Sequence, residues 1–155
     1  MQTLVYFLTK RVRSPDEDDW KKLRRGLMYL KGTMHMKLCI TVDSLSTMRW
    51  YVDASYGVHY ECKGHTGIMM TLGAGAAMSM SKAQKLNTRS STESELVGVH
   101  DCLPDILWSK YFLEAQDHVI DHNILLQDNK STIFLVTNDM MSSSKQPKTL
   151  DIGFF

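Results

Sequence analysis

Three carboxylates stand at positions where an acid is costly unless it has work to do. Asp53 interrupts the run Trp50-Tyr-Val52, whose aromatic and β-branched residues suit a pleated strand. A lone acid inside a strand that should be central must be paired or hold a cation, and the small Ala54 and Ser55 leave room for a metal or a phosphate. The plain alternative is that Asp53 ends a strand and begins a turn. Glu95 falls in the first turn of a long helical pattern, on or beside its apolar stripe. Asp128 closes the short apolar strand Ile124-Leu-Leu-Gln-Asp128, at the carboxyl end where α/β sheets bind ligands; its alternative is a helix N-cap. Three hard oxygen ligands from separate elements, with no His or Cys among them, suit Mg²⁺ or Mn²⁺. Two such ions about 3.5–4 Å apart stabilise both the attacking and the leaving oxygen when water displaces a phosphodiester in line.

The elements that must carry these acids can be read from the pattern around them. Residues 2–12 are apolar at helical spacing. Ser14-Pro15-Asp16-Glu17 predicts an N-cap, a proline at the first helical position and acids in the first turn. Trp20, Leu23, Leu27 and Leu30 then form one helical face, Lys21, Lys22, Arg24 and Arg25 lie on the other sides, and Gly32 is placed to end the helix. That basic run is read first as a solvated surface. Leu38 to Val42 predicts a strand before the one that carries Asp53. Residues 57–65 are polar enough for a hairpin loop, and Gly73-Ala-Gly75 joins two further strands, 66–72 and 76–81, into an antiparallel meander.

A helix follows, and either Ser90 with Glu93 or Thr92 with Glu95 satisfies the capping-box spacing. If Glu93 is the capping residue, Glu95 stays free for chemistry. The helix carries Leu96, Val99, Leu103, Ile106, Leu107, Tyr111 and Leu113 as its apolar stripe, and Pro104 predicts a break or kink with Asp101 capping the second half. Asn129-Lys-Ser131 opens another helix, and residues 149–155 begin a last element.

Composition narrows the function classes. The chain has 155 residues, enough for one domain with a real core, and its 43% hydrophobic and 23% charged residues are ordinary for a globular protein. No stretch approaches the ~20 apolar residues of a membrane span. The N-terminus lacks the basic segment and cleavage site of a signal peptide. Three scattered cysteines match no zinc pattern and fit a reducing, intracellular setting. A net charge of +1 gives no global basic field, so a polyanion would be held by a local patch. Eleven methionines read as adaptable core filling. His118 and His122 share an i, i+4 spacing, but their neighbours Asp117, Asp121 and Asn123 make a solvated loop the better reading.

The ordered set Tyr51-Val-Asp-Ala-Ser-Tyr56, His65-Thr-Gly67, Ser81-Lys-Ala-Gln-Lys85, Ser90-Ser-Thr-Glu-Ser-Glu-Leu96 and Gln127-Asp-Asn129 resembles the ribonuclease H domain of copia-type LTR retrotransposon polyproteins. Residues 14–32, with the run Tyr29-Leu-Lys-Gly-Thr33, resemble the segment that links reverse transcriptase to that domain. The resemblance implies an α/β, ribonuclease H-like mixed sheet: an antiparallel three-strand meander, a further strand and flanking helices. It implies a helical connection over 1–47 and the nuclease-like domain over 48–155, C-terminally truncated. It also implies cleavage of the RNA strand of RNA–DNA hybrids with two Mg²⁺ or Mn²⁺ ions, held by Asp53, Glu95 and Asp128 as the catalytic acids. The order Asp, Glu, Asp argues against the related integrase core, where the Glu comes last.

For substrate, the resemblance points to small polar groups near the metals: Ser55, Asn87, Thr88, Ser91 and Asn129. Lys82, Lys85 and Arg89 are the candidate phosphate contacts. The implied partners are the hybrid and the reverse transcriptase portion of the same polyprotein, with no membrane, in the cytoplasm, a virus-like particle or the nucleus. Reverse transcriptase activity itself is not expected, because no Tyr-x-Asp-Asp motif is present. The family's fourth acid is expected beyond Phe155, and Asp151 is read as structural or substrate-adjacent. Two further readings stand beside the nuclease. One is an inactive remnant that keeps the fold and weak nucleic-acid binding. The other is a non-enzymatic module, which predicts three carboxylates too far apart to share a cation.

Overall fold

A computed structural model describes residues 1–59, 62–142 and 150–154. Two compact units divide between Cys39 and Ile40. The first holds helices α1 (Gln2–Thr9) and α2 (Glu17–Thr33). The cap of α2 is Asp16, not Ser14. Its carboxylate accepts the Asp19 N–H while the Asp19 carboxylate accepts the Asp16 N–H, and Pro15 stands outside the helix. Arg11 holds this box closed, with Nε 2.5 Å from Asp19 and Nη2 2.5 Å from Asp16. The helix runs through Gly32 to Thr33, whose hydroxyl donates to the Tyr29 carbonyl. Trp20, Leu23, Leu27 and Leu30 are all exposed, and Asp19 and Gly26 are the buried residues of α2. Gly26 is where Leu4 of α1 crosses, since a Cβ there would run into Leu4 Cδ2.

The second unit holds β1 (Thr47–Ser55), β2 (His65–Thr71), β3 (Met78–Ala83), α3 (Ser91–Glu114), β4 (His122–Gln127), α4 (Lys130–Ser142) and β5 (Asp151–Phe154). They form one five-stranded mixed sheet in the order β3-β2-β1-β4-β5. The meander β1–β2–β3 is antiparallel, while β4 lies parallel to β1 and β5 parallel to β4. This α/β mixed sheet has the antiparallel three-strand meander and the further strand that the resemblance implies. Residues 38–42 are not a strand. The Thr41 and Asp43 N–H groups donate to Ala74 and Leu72 just past the end of β2, and Leu38, Ile40 and Val42 face solvent. An apolar run without a buried face has nothing to hold it in a ladder. Residues 57–65 connect β1 to β2 as expected, although Tyr60 and Glu61 lie outside the described residues.

Alternation along β1 places Met48, Trp50, Val52 and Ala54 on the buried positions, with Trp50 fully enclosed. They pack with Ile68, Leu125 and the α3 residues Val99, Cys102 and Ile106. The buried face of α3 is therefore rotated from the expected stripe. It uses the small residues Gly98, Cys102 and Ser109, while Tyr111 is exposed. Pro104 does not interrupt α3, which continues for 24 residues. The turns on either side are anchored to the core by Val99, Cys102 and Ile106, so the one missing backbone donor is tolerated.

Small residues on α3 let the helix sit close to the sheet. A Cβ at Gly98 would stand 3.3 Å from both Ala54 Cβ and Thr66 Cγ2. Gly98→Val is therefore expected to cost about 1–3 kcal/mol by overpacking, read as a lower denaturant midpoint at an unchanged m-value.

Candidate metal centre

Two of the three acids, Glu95 and Asp128, owe their freedom to a neighbour that takes the structural role. Asp53 lies within the β1 ladder opposite Gly67, so it does not begin a turn. It occupies an exposed position of the alternation, while Val52 and Ala54 on either side are buried. At the start of α3 the cap is Ser90, whose hydroxyl accepts the Glu93 N–H at 3.1 Å; the Glu93 carboxylate accepts the Arg89 N–H at 2.7 Å. Glu93 is thereby spent, and Glu95 points inward, 6% exposed. After β4, the cap of α4 is Asn129, whose Oδ1 accepts the N–H groups of Ser131 and Thr132. Asp128 is released from that duty.

The fold then gathers them. The parallel register pairs Tyr51 with Leu126, and its continuation sets Asp53 beside Asp128 at the carboxyl ends of two adjacent central strands. One carboxylate oxygen from each of Asp53, Glu95 and Asp128 lies within 4.8 Å of the others. This contradicts the reading in which the acids only cap and end elements. Among the described residues, no lysine, arginine or histidine forms an ion pair with any of the three. Burial pushes the Glu95 carboxyl up to about 7, and the charges of Asp53 and Asp128 push the same way; hydrogen bonds from the Gln127 amide and the Ala54 N–H oppose them. Three mutually repelling oxygens with no protein counter-ion among the described residues make a donor set that could hold a divalent cation.

Two buried amides frame this cluster, and the motif reading gave neither a role. Gln84 is 2% exposed, donates to Thr66 Oγ1 and the Ser94 carbonyl, and accepts from Ser94 Oγ; it ties the end of β3 to the first turn of α3. Gln127 is fully buried, and its Nε2 donates to Glu95 Oε2 at 3.0 Å. Its Oε1 accepts the N–H groups of Asp128 at 2.7 Å and Asn129 at 3.3 Å. The available signal was alternation: Asn123, Leu125 and Gln127 share the buried positions of β4, so this amide had to find partners inside.

The candidate substrate residues are more dispersed. Ser55 and Ser91 are exposed at the end of β1 and the start of α3, and Asn87, Lys85 and Arg89 are exposed in the loop before that helix. Thr88, in the same loop, has a buried hydroxyl with no hydrogen-bond partner among the described residues. Lys82 turns along α3 instead, 3.5 Å from Asp105 and 3.3 Å from the Asp101 carbonyl. Asn129 already uses its Oδ1 as a cap. Asp151 is level with Ile124, four strand residues short of Asp128, which puts it ~13 Å back along the sheet.

No protein-family model matches the chain. It is similar to the retrovirus-related Pol polyprotein from transposon TNT 1-94 of Nicotiana tabacum, 26% identical over 151 residues, covering 97% of this chain and 11% of that protein. It is also similar to the retrovirus-related Pol polyprotein from transposon RE2 of Arabidopsis thaliana, 27% identical over 149 residues, covering 95% of this chain and 10% of that protein. The chain thus spans about a tenth of the length of the curated relatives it matches. These similarities bear out the resemblance to retrotransposon Pol polyproteins read from the motifs. Among solved structures, a prototype foamy virus protease-reverse transcriptase aligns with a TM-score of 0.42 and 13% identity, over 98% of this chain and 21% of that one. The catalytic domain of human endonuclease V aligns with a TM-score of 0.32 and 12% identity, over 74% and 48%. Both scores are too low to carry weight. No helix among the described residues is long and apolar enough to cross a membrane.

Proposed function

We propose that this chain is the ribonuclease H portion of a retrotransposon Pol polyprotein. It hydrolyses the RNA strand of RNA–DNA hybrids, with Asp53, Glu95 and Asp128 as the catalytic, metal-holding acids. The observation that carries the reading is the convergence of their oxygens within 4.8 Å without a protein cation among the described residues. Two bound Mg²⁺ or Mn²⁺ ions would supply water activation and charge stabilisation at the leaving oxygen. Asp53 and Asp128 present exposed carboxylates toward solvent, where a phosphodiester can arrive, while Glu95 supplies the buried oxygen beneath them.

Lys85 and Arg89, exposed in the loop before α3, are the proposed contacts to backbone phosphates. Ser55, Ser91 and the Asn129 amide nitrogen are the small donors for 2′-hydroxyls. Lys82 joins them only by leaving Asp105. The reverse transcriptase portion of the same polyprotein is the proposed partner, in the cytoplasm, a virus-like particle or the nucleus. The second reading is a folded remnant that binds hybrid weakly without cutting it. It is favoured by the gathering of three acids and no fourth among the described residues.

A labelled RNA–DNA hybrid incubated with the chain and Mg²⁺ or Mn²⁺ separates the two. The proposal expects RNA-strand cleavage that a chelator stops. A folded chain that leaves the RNA whole with either ion would establish the remnant, and equal cutting of the DNA strand would remove the hybrid specificity.

A further inference from the structure

We propose that Gln127 is a positioning residue that sets the distance between two of the metal ligands, Glu95 and Asp128. The inference rests on the metal-holding role proposed above. Its geometry is a bridge. One end of the amide donates to Glu95 Oε2 at 3.0 Å, and the other accepts the Asp128 N–H at 2.7 Å and the Asn129 N–H at 3.3 Å. Glu95 lies on α3 and Asp128 follows β4, so the bridge joins elements separated by 32 positions in the chain.

The orientation of the amide has no alternative. Turning it over would set its NH₂ against two backbone N–H groups and its carbonyl against a carboxylate, three repulsive contacts around a fully buried side chain. Fixed this way, Gln127 can only donate to Glu95. The Ala54 N–H supplies a second donor to the same carboxylate. The Gln127 donor restrains the Glu95 carboxylate, one oxygen of which lies within 4.8 Å of an oxygen from each of Asp53 and Asp128. The same amide oxygen holds the backbone of Asp128 at the foot of α4. Outer partners of this kind orient ligands, and their loss typically lowers metal affinity or activity about 10–100-fold.

The test is Gln127→Met, which keeps length and fills the space but can neither donate to Glu95 nor accept from the loop. Free Mn²⁺ counted by electron paramagnetic resonance gives the affinity of each protein without substrate. The expected result is binding about 10–100-fold weaker than wild type. Hybrid cleavage should recover most of its kcat at saturating Mn²⁺, a shift a merely structural role would not produce. Unchanged Mn²⁺ affinity in a folded Gln127→Met protein overturns the proposal. If that variant does not fold, the Gln127 side-chain amide is followed by NMR in the wild type during Mg²⁺ addition. A resonance that shifts with the midpoint of Mg²⁺ binding supports the bridge; one that ignores the ion overturns it. A wild-type chain that binds no Mn²⁺ removes the metal-holding reading, and this inference with it. The two failures are thus distinguishable.

Discussion

Replacing Asp53 by Asn is expected to lower cleavage of an RNA–DNA hybrid by more than about 100-fold while leaving the fold intact. The bound follows from comparison: losing an outer partner of a ligand costs up to about 100-fold, and loss of the ligand itself must exceed it. The substitution is nearly isosteric at an exposed position whose ladder partner is Gly67, so it neither opens a cavity nor removes a core contact. It also removes one of the charges that repel Glu95, so the metal-free variant should melt no lower than wild type. Single-turnover cleavage beside a thermal melt reads both effects. Retained cutting by the Asp53→Asn protein would remove Asp53 from the site.

The second large effect is a pH dependence carried by Glu95. Burial raises its carboxyl from the ordinary 4.5 to about 7 in the folded chain, with Asp53 and Asp128 adding to the effect. A group whose folded pKa is raised binds its proton more tightly in the native state. Without metal its contribution is therefore most favourable below 4.5 and is lost as pH rises towards 7. After allowance for solvent screening, the loss is on the order of 2 kcal/mol, or several degrees of melting temperature. Glu95→Gln abolishes the titration, so the expected result at pH 8 is a variant that melts above metal-free wild type yet does not cut. A divalent ion reverses the trend in wild type, because it binds the ionised carboxylate and must displace a proton below neutrality. Melts at pH 5 to 8, with and without Mg²⁺, check the sign. Equal slopes for wild type and Glu95→Gln would show that another group is responsible.

The acids were legible because each breaks a local pattern. Asp53 interrupts an aromatic run, Glu95 follows an acid already needed for a cap, and Asp128 precedes the Asn that caps α4. The meander was legible from alternation and from the Gly73-Ala-Gly75 turn. The errors share a different cause. Residues 38–42 carry the right composition for a strand, but burial depends on what lies opposite, and the local run does not report that. Pro104 was read as a breaker because its missing donor is local, whereas the core contacts that carry α3 past it are not. Gln84 and Gln127 escaped because a glutamine is usually surface, and the partners of these two come from elements far along the chain. In both, the clue was a polar residue at a position that alternation assigns to the inside.

The enclosure of Trp50 has an optical consequence. The three tryptophans occupy separate environments: Trp20 is 64% exposed, Trp108 is 62% exposed and stacked on Phe112, and Trp50 is fully buried three residues before Asp53. Native fluorescence is then a sum of two red-shifted emitters open to aqueous quenchers and one blue-shifted emitter shielded from them. The residual emission under iodide belongs to the strand that carries Asp53, a built-in reporter on the sheet beneath the carboxylates.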